Sequence, residues 1–272
     1  MINPLPQARL TMTDTIQELT FPPITFGINQ VFDETFDSGW VAFPGHYLLY
    51  ASSGAFRLAV GQVQWLLPPQ RAAWVAAHVP LRLSAAGPGT TSSVLFAEEA
   101  IPKPEFTSRV FAVSSLAREM LLYATRWGPD RDSANQTADS FFQALAAVCT
   151  DLAVDPDEFW LPQAQSTELD QAMAYTLSHL ADKLTLADVA AAAHISERTL
   201  ARRFSAETGM TWSQFVHRAR MIRAMELLAS PDTKIIEVVY AVGYASVSAF
   251  NNAFRHFTGD TPSGYCKRIQ PR

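Results

Sequence analysis

Two short stretches near the C-terminal end carry side chains that hydrogen-bond well to the edges of DNA bases. The first contains Arg198 and Arg202, and the second contains Asn251 and Asn252. In the major groove, arginine makes a bidentate contact with guanine and asparagine makes one with adenine. The two arginines are four residues apart, which places them on one face of a helix. The residue types therefore predict base reading by two separate elements.

The two stretches belong to one pattern that occurs twice, fifty positions apart. A repeat of this period indicates a duplicated supersecondary unit. Upstream of the stretches, Val189 and Val239 align in the same register. The other matched pairs are Ser196 and Ser246, Leu200 and Phe250, Phe204 and Phe254, Thr208 and Thr258, Gly209 and Gly259, Thr211 and Thr261, Ser213 and Ser263, and Phe215 and Tyr265.

The first copy begins with the signals of a short helix. Thr185 and Asp188 have the spacing of an N-terminal capping box, with Asp in place of the usual Glu or Gln. The spacing predicts a helix over 186–193, with Leu186 and Val189 facing inward. The alanines at most other positions allow a second helix to approach closely.

The second helix of this copy is predicted over 197–207, after a turn at His194 and Ile195. Ser196 is a suitable N-cap, and Gly209 occupies the position where a left-handed residue ends a helix. One face is mainly apolar and the opposite face is cationic, which suits a helix that enters the major groove. The first face holds Leu200, Phe204 and Glu207, and the second holds Arg198, Ala201, Arg202 and Ser205.

The second copy follows the same plan of helix, turn and helix. Its turn is predicted at Gly243 and Tyr244, and Ser246 is the N-cap. The apolar first helix contains Ile235, Ile236, Val238 and Val239; the second turns Phe250, Phe254 and Phe257 inward and Ser248, Asn251, Asn252 and Arg255 outward.

A single helix over 212–229 is predicted between the copies. Phe215, Ala219 and Ile222 follow one stripe, together with either Met225 or Glu226. Arg218, Arg220 and Arg223 lie around the rest. A rigid spacer of this kind fixes the distance between two reading helices, and successive major-groove faces are roughly 34 Å apart.

The net charge of −5 conceals an asymmetry along the chain. Residues 1–165 hold 9 basic and 16 acidic side chains, whereas residues 166–272 hold 12 and 10. Within 191–225 six arginines face only two glutamates. A local basic patch attracts phosphate whatever the total charge of the chain.

The N-terminal part is predicted to be rich in strands and then helical. Short apolar segments separated by Gly, Pro and Ser indicate a small barrel or sandwich. They are 24–32, 39–43, 47–51, 55–60, 63–67, 72–76 and 92–97. Helices are predicted over 110–126 and 138–152, and the first has a stripe of Val113, Leu116, Met120 and either Val110 or Tyr123. The pair could form the core of its own domain or a dimerisation surface.

The segment 184–268 resembles the DNA-binding domain of the AraC/XylS family of transcription regulators. The resemblance rests on ISERTLARRFSAETGMTWSQF and VGYASVSAFNNAFRHFTGDTPSGY, which are similar to the two signature stretches of that family. It implies two helix-turn-helix units that bind duplex DNA upstream of promoters. Asn252 departs from the pattern, since many members have arginine there. The residues expected to contact DNA are Ser196, Arg198, Thr199, Arg202, Arg203, Ser246, Val247, Ser248, Asn251 and Asn252.

The N-terminal half resembles the cupin-like sensor domain of the same family more loosely, through the segment 46–83. Cupins that bind metal need several histidines and a carboxylate facing inward. Only His46 and His78 occur in this region, and Leu81 follows Pro80 where His-rich members have histidine. We therefore expect no metal and no cofactor. The alternative is a metal-dependent cupin enzyme with an accessory nucleic-acid-binding domain.

The sequence thus predicts an α+β multidomain protein that is a regulator and not an enzyme. A cupin-like β-barrel over about 21–105 and helices over about 108–152 form domain 1–152, followed by a linker over 153–167. Residues 168–272 form an all-α domain with two helix-turn-helix units joined by a linker helix. The expected partners are double-stranded DNA, a small-molecule effector, a second copy in a homodimer and, by family resemblance, RNA polymerase. Without a secretion signal or membrane span, we expect a cytoplasmic location at the nucleoid.

Overall fold

The computed structural model describes residues 15–154, 159–230 and 233–269. They divide into two compact units. The first covers the described residues from Thr15 to Phe159 apart from Gln62–Gln64, and the second covers those three residues and the described residues from Trp160 onward. Strands dominate the first unit and helices the second, so the predicted α+β class is confirmed.

The first unit contains two sheets whose strands pair mostly in the antiparallel direction. The strands are β1 Gln17–Glu18, β2 Phe26–Phe32, β3 Phe36–Asp37, β4 Val41–Ala42, β5 His46–Ser53, β6 Phe56–Val60, β7 Val63–Leu67, β8 Arg71–Val75, β9 Leu81–Ala85, β10 Gly89–Phe96 and β11 Ser108–Ala112. One sheet has the order β1-β4-β9-β6-β7, with β3 beside β9, and the other has the order β11-β8-β5-β10-β2.

The predicted barrel is not closed. Among the described residues no strand of one sheet pairs with a strand of the other. At the β2 edge the outward backbone N–H of Gly27 donates to the carbonyl oxygen of Trp127 at 2.8 Å, and a Cβ at Gly27 would lie 2.4 Å from the carbonyl oxygen of Ala124. A helix end therefore covers this edge instead of another strand, which is a common protection of exposed sheet edges.

Two helices, α1 Ser115–Ala124 and α2 Gln136–Leu152, pack on the second sheet. The predicted inward stripe was wrong at Leu116 and Tyr123, although Val113 and Met120 do pack against the core as partly buried residues. Leu116 and Tyr123 are 61% and 49% exposed, whereas the buried residues are Ala117, Leu121 and Ala124. The sheet already supplies large side chains such as Trp74 and Phe96 to this core, so small residues on the helix let it approach closely.

The start of the predicted helix over 110–126 was also wrong. Val110 lies in β11, and α1 begins only after Ser114, whose side chain accepts a hydrogen bond from the backbone N–H of Ala117. A serine in extended conformation is a strong N-cap. It therefore separates the strand from the helix at this point.

The second unit begins with a short strand and continues with seven helices among its described residues. They are β12 Trp160–Pro162, α3 Thr167–Ser178, α4 Leu186–Ala192, α5 Glu197–Thr208, α6 Trp212–Leu228, α7 Ile235–Ala241, α8 Val247–Thr258 and α9 Pro262–Ile269. The residue pattern did not predict β12, α3 or α9. Helices α4 and α5 form the first helix-turn-helix unit, α7 and α8 form the second, and α6 joins them.

The local signals for these helices are confirmed. Thr185 and Asp188 make both hydrogen bonds of a capping box at α4. Ser196 and Ser246 cap α5 and α8 by accepting from the backbone N–H three residues later. Gly209 ends α5 with a φ of 71°, as a left-handed C-terminal residue does. These residues set helix ends through contacts within four positions, so their types alone identify them.

The two copies differ by one residue in their turns. The backbone N–H of Ile195 donates to the carbonyl oxygen of Ala190, and Tyr244 makes the same bond to Val239, which is a shift of 49 residues and not fifty. The capping serines are fifty apart, so the second turn is one residue longer. The alignment of Val189 with Val239 was therefore wrong, since the bonding places Val239 opposite Ala190.

One side chain of α6 links the two helix-turn-helix copies. The guanidinium group of Arg220 donates to the carbonyl oxygens of Leu180 and Asp182 at 3.1 and 3.0 Å, in the loop before α4. Gly243, in the second turn, packs against the same group: a Cβ there would lie 2.4 Å from the Leu180 oxygen and 2.6 Å from Nη2 of Arg220. The contact ties the loop that precedes the first helix-turn-helix copy to the turn of the second copy.

We expect Gly243→Ala to lower the free energy of unfolding of the helical unit more than Gly209→Ala does. Both glycines have left-handed φ values, 77° and 71°, which cost a non-glycine residue about 1–2 kcal/mol. Only Gly243 is crowded, since nothing lies within 4 Å of a Cβ at Gly209. Crowding adds about 1–3 kcal/mol. Equal losses in the free energy of unfolding, measured in urea, would contradict the close contact.

Candidate nucleic-acid interface

The predicted DNA-contacting residues lie on or beside α5 and α8, which we call the first and second readers. Most of them are exposed: Ser196, Arg198, Arg202, Ser246, Val247, Ser248, Asn251 and Asn252. Thr199 and Arg203 are half-buried. The structure thus brings the predicted residues together in two groups, one on each reader.

Arg198 and Arg202 are the outward-facing cations of the first reader. They lie four residues apart on one face, and neither makes a hydrogen bond or ion pair with any residue that the structure describes. Leu200 and Phe204, on the other face, are fully buried. The apolar face fixes the helix, so the two guanidinium groups are left available to a partner outside the chain.

The other four arginines of the basic segment are used within the protein. Arg203 donates to a carboxylate oxygen of Glu168 at 2.7 Å. Arg220 bonds to backbone carbonyls, as described above. Arg218 lies 4.7 Å from the ring centre of Trp160, and Arg223 pairs with Glu226 at 3.0 Å. The charge left for a phosphate or base is therefore smaller than the sequence suggests.

Glu207, which the sequence placed on the inward face of α5, has a specific role there. Its carboxylate accepts hydrogen bonds from the backbone N–H groups of Gln165 and Ser166 at 2.8 and 2.9 Å and from the Ser166 hydroxyl at 2.7 Å. Burial raises the pKa of Glu207, but these bonds outweigh it and lower the pKa overall. The sequence signal for this role was an acidic residue on a helix face that is otherwise apolar.

The second reader carries no free acid on its outward face and little charge. Phe250 and Phe254 are fully buried, and Ser248, Asn251 and Asn252 are exposed on the opposite side. Its basic residue types, Arg255 and His256, come in the last turn. Hydrogen bonds from neutral side chains are therefore the main means of recognition that this helix offers.

The two histidines of the N-terminal unit lie in different environments. His46 is fully buried, its Nδ1 accepts from the backbone N–H of Ala77 at 3.1 Å, and burial lowers its pKa. His78 is exposed and lies 3.1 Å from a carboxylate oxygen of Glu98. Within the described ranges, no cluster of three or more His, Cys, Asp or Glu side chains could hold a metal ion.

None of the helices in the described part of the chain has the length and apolar character needed to cross a membrane.

Comparison with known proteins agrees with the geometry of the two readers. Residues 189–268 match the family described as a helix-turn-helix domain. The HTH-type transcriptional regulator NimR of Escherichia coli K12 is 27% identical over 225 residues, which cover 82% of this chain and 80% of NimR. RipA of Corynebacterium diphtheriae is 37% identical over 123 residues, which cover 45% of this chain and 35% of RipA.

Among solved structures, a DNA-binding transcriptional dual regulator from Escherichia coli K-12 is 30% identical and matches with a TM-score of 0.37. The match covers 40% of this chain and 96% of that one. Two helix-turn-helix units joined by a helix define a DNA-binding transcription regulator. The chain is therefore similar to transcription regulators with a helix-turn-helix domain, as its resemblance to the AraC/XylS family implies.

The bonds to Glu207 make a pH-dependent contribution to stability. Because the folded state lowers its pKa, the contribution is present above the usual glutamate range and is lost as the pH falls through the folded value. We expect the difference in unfolding free energy between the natural protein and Glu207→Gln to shrink between roughly pH 5 and pH 3. A difference that is constant over this range in urea unfolding would contradict the assignment.

Proposed function

We propose that this regulator reads two successive faces of the major groove with α5 and α8 of one chain. Arg198 and Arg202 read bases in one face, and Ser248, Asn251 and Asn252 read bases in the next. Ser196, Thr199, Ser246 and Val247 complete the contacts at the helix starts, where backbone N–H groups favour phosphate. The observation that carries the proposal is that Arg198 and Arg202 have no hydrogen-bond or ion-pair partner among the described residues, while the other four arginines of the basic segment do have partners.

The proposed site is asymmetric within one protomer. The inward residues of the readers are alike in the two copies, but Arg198 and Arg202 correspond to Ser248 and Asn252. The first reader therefore supplies most of the charge and the second supplies neutral hydrogen bonds. Residues 168–272 form this DNA-binding domain, and residues 153–167 link it to a sensor and dimerisation domain over 1–152.

Control by a small effector is part of the proposal. The N-terminal unit has a cleft of about 310 Å³ between α2 and the segment that follows β10. Apolar residues such as Ile24, Ile101 and Phe142 line it together with Arg131, whose side chain is only 5% exposed. Small-molecule sites combine apolar walls with a few fixed polar groups in this way.

A protein surface is proposed on the outer side of α1. Leu116 and Tyr123 are exposed there, next to an open groove lined by Met120, Leu122 and Phe141. A contiguous exposed apolar patch of this kind is typical of an interaction site. We propose that it serves a homodimer in the cytoplasm, where the family resemblance also implies contact with RNA polymerase. The relatives are named as regulators and lend no support to the alternative of a cupin enzyme.

Replacing Arg202 tests the reading of bases. We expect Arg202→Ala to weaken binding to the preferred DNA by about 1–3 kcal/mol and to relax the preference at one base pair. Arg118→Ala removes the same charge from the N-terminal unit and is the control. Binding selection from a random DNA pool measures affinity and preference together, and an unchanged preference for Arg202→Ala would overturn the assignment. Affinity should also fall steeply with salt, since phosphate contacts release counterions.

Filling the proposed effector cleft tests its role. Ala100 is exposed at the rim of the cleft, so we expect Ala100→Trp to block it without unfolding the unit. Ala86→Trp adds the same side chain at an exposed position that does not line the cleft. Compounds that raise the melting temperature of the natural protein should also raise that of Ala86→Trp, but they should not raise that of Ala100→Trp. Loss of this effect with both variants, or with neither, would contradict the cleft as the site.

A further inference from the structure

The last turns of the first reader are joined to the start of α3 by two contacts. Glu207 accepts three hydrogen bonds from Gln165 and Ser166, at 2.7 to 2.9 Å. One turn earlier on the reader, Arg203 donates to Glu168 at 2.7 Å. Both contacts lie within the second unit, and each uses a side chain of the reading helix and a group at the start of α3.

Glu207 supplies the cap that α3 lacks from its own residues. The N-cap residue Ser166 makes no side-chain hydrogen bond to the helix it begins, because its hydroxyl donates to Glu207 instead. The backbone N–H groups at a helix start have no partner within the helix, and a negative charge is favourable there. Hydrogen bonds to a carboxylate are among the stronger ones. The start of α3 therefore depends on the reading helix.

The second reader has no counterpart of this arrangement. Ala253 stands at the position of Arg203, and Phe257 stands at that of Glu207. Neither side chain carries a charge, and neither has an oxygen that could accept hydrogen bonds from the start of a helix. The two contacts therefore act on the first reader alone, which is the helix that carries Arg198 and Arg202.

We propose that Glu207 and Arg203 are positioning residues for the first reader. They hold α5 on the chain segment that enters the DNA-binding unit, so that a displacement of residues 165–166 changes how Arg198 and Arg202 meet the bases. Arg203 then serves the orientation of the helix and not a direct DNA contact. This inference rests on the proposed reading of DNA by α5.

Glu207→Gln distinguishes a positioning role from a purely electrostatic one, because the two roles predict changes of opposite sign in the affinity for DNA. Removing a negative charge from a DNA-binding unit strengthens attraction to phosphate. Loss of positioning weakens binding instead, and we expect a fall of roughly tenfold, the size of a lost helix cap. Base preference should be lost only at positions read by Arg198 and Arg202. Glu237→Gln on α7 removes the same charge away from α3 and should bind as tightly as the natural protein or more tightly.

The full-length chain and its selected DNA are used throughout, and the unfolded fraction of each variant is measured by thermal unfolding. Ser166→Ala removes only the hydroxyl contact and decides the matter if Glu207→Gln does not fold; we expect a smaller loss with the same pattern of base positions. Unchanged or tighter binding by the folded variant, with unchanged preference, would overturn the positioning role. If Arg202→Ala also changes nothing, the proposed reading of DNA fails as well.

Discussion

The guanidinium group of Arg220 is the contact on which the geometry of the DNA-binding unit depends. It lies on α6, the helix shared by both copies, and bonds to the carbonyl oxygens of Leu180 and Asp182. Backbone carbonyls at a loop need donors, and a charged donor makes stronger bonds than a neutral one. Gly243 lies against the same group, and any larger residue would displace it. One side chain thus links the elements that precede the first reader to the turn that precedes the second.

This constraint explains how a duplicated unit serves two different tasks. The inward residues of α5 and α8 remain large and apolar because both helices pack in the same way. The outward residues are free to differ, since none of their side chains makes a hydrogen bond or ion pair with another residue that the structure describes. Among the described residues, the arginines that maintain the fold near the first reader have partners, whereas the outward-facing Arg198 and Arg202 have none. Whether an arginine has a partner within the protein therefore distinguishes structural residues from base-reading residues better than its charge does.

The sequence predicted most features that arise from local contacts, with the Ser114 cap of α1 as an exception, and it failed where distant residues decide. The capping roles of Ser196 and Ser246 follow from bonds within one turn, so residue type was sufficient. The inward face of α1 depends on which sheet residues already fill the core, and periodicity chose Leu116 over Ala117. The partners of Glu207 lie 41 and 42 residues away, in a segment without helical periodicity. The extra residue in the second turn was missed because the capping serines still aligned.

The central claim is that the two readers are held at a fixed spacing. It is tested most directly by inserting base pairs between the two halves of the selected DNA site and measuring affinity for the full-length chain. An insertion of half a helical turn places the second half-site on the opposite side of the duplex. We expect affinity then to fall to that of a single half-site or of non-specific DNA. Affinity that stays constant as the spacing changes would show instead that the two readers move independently of each other.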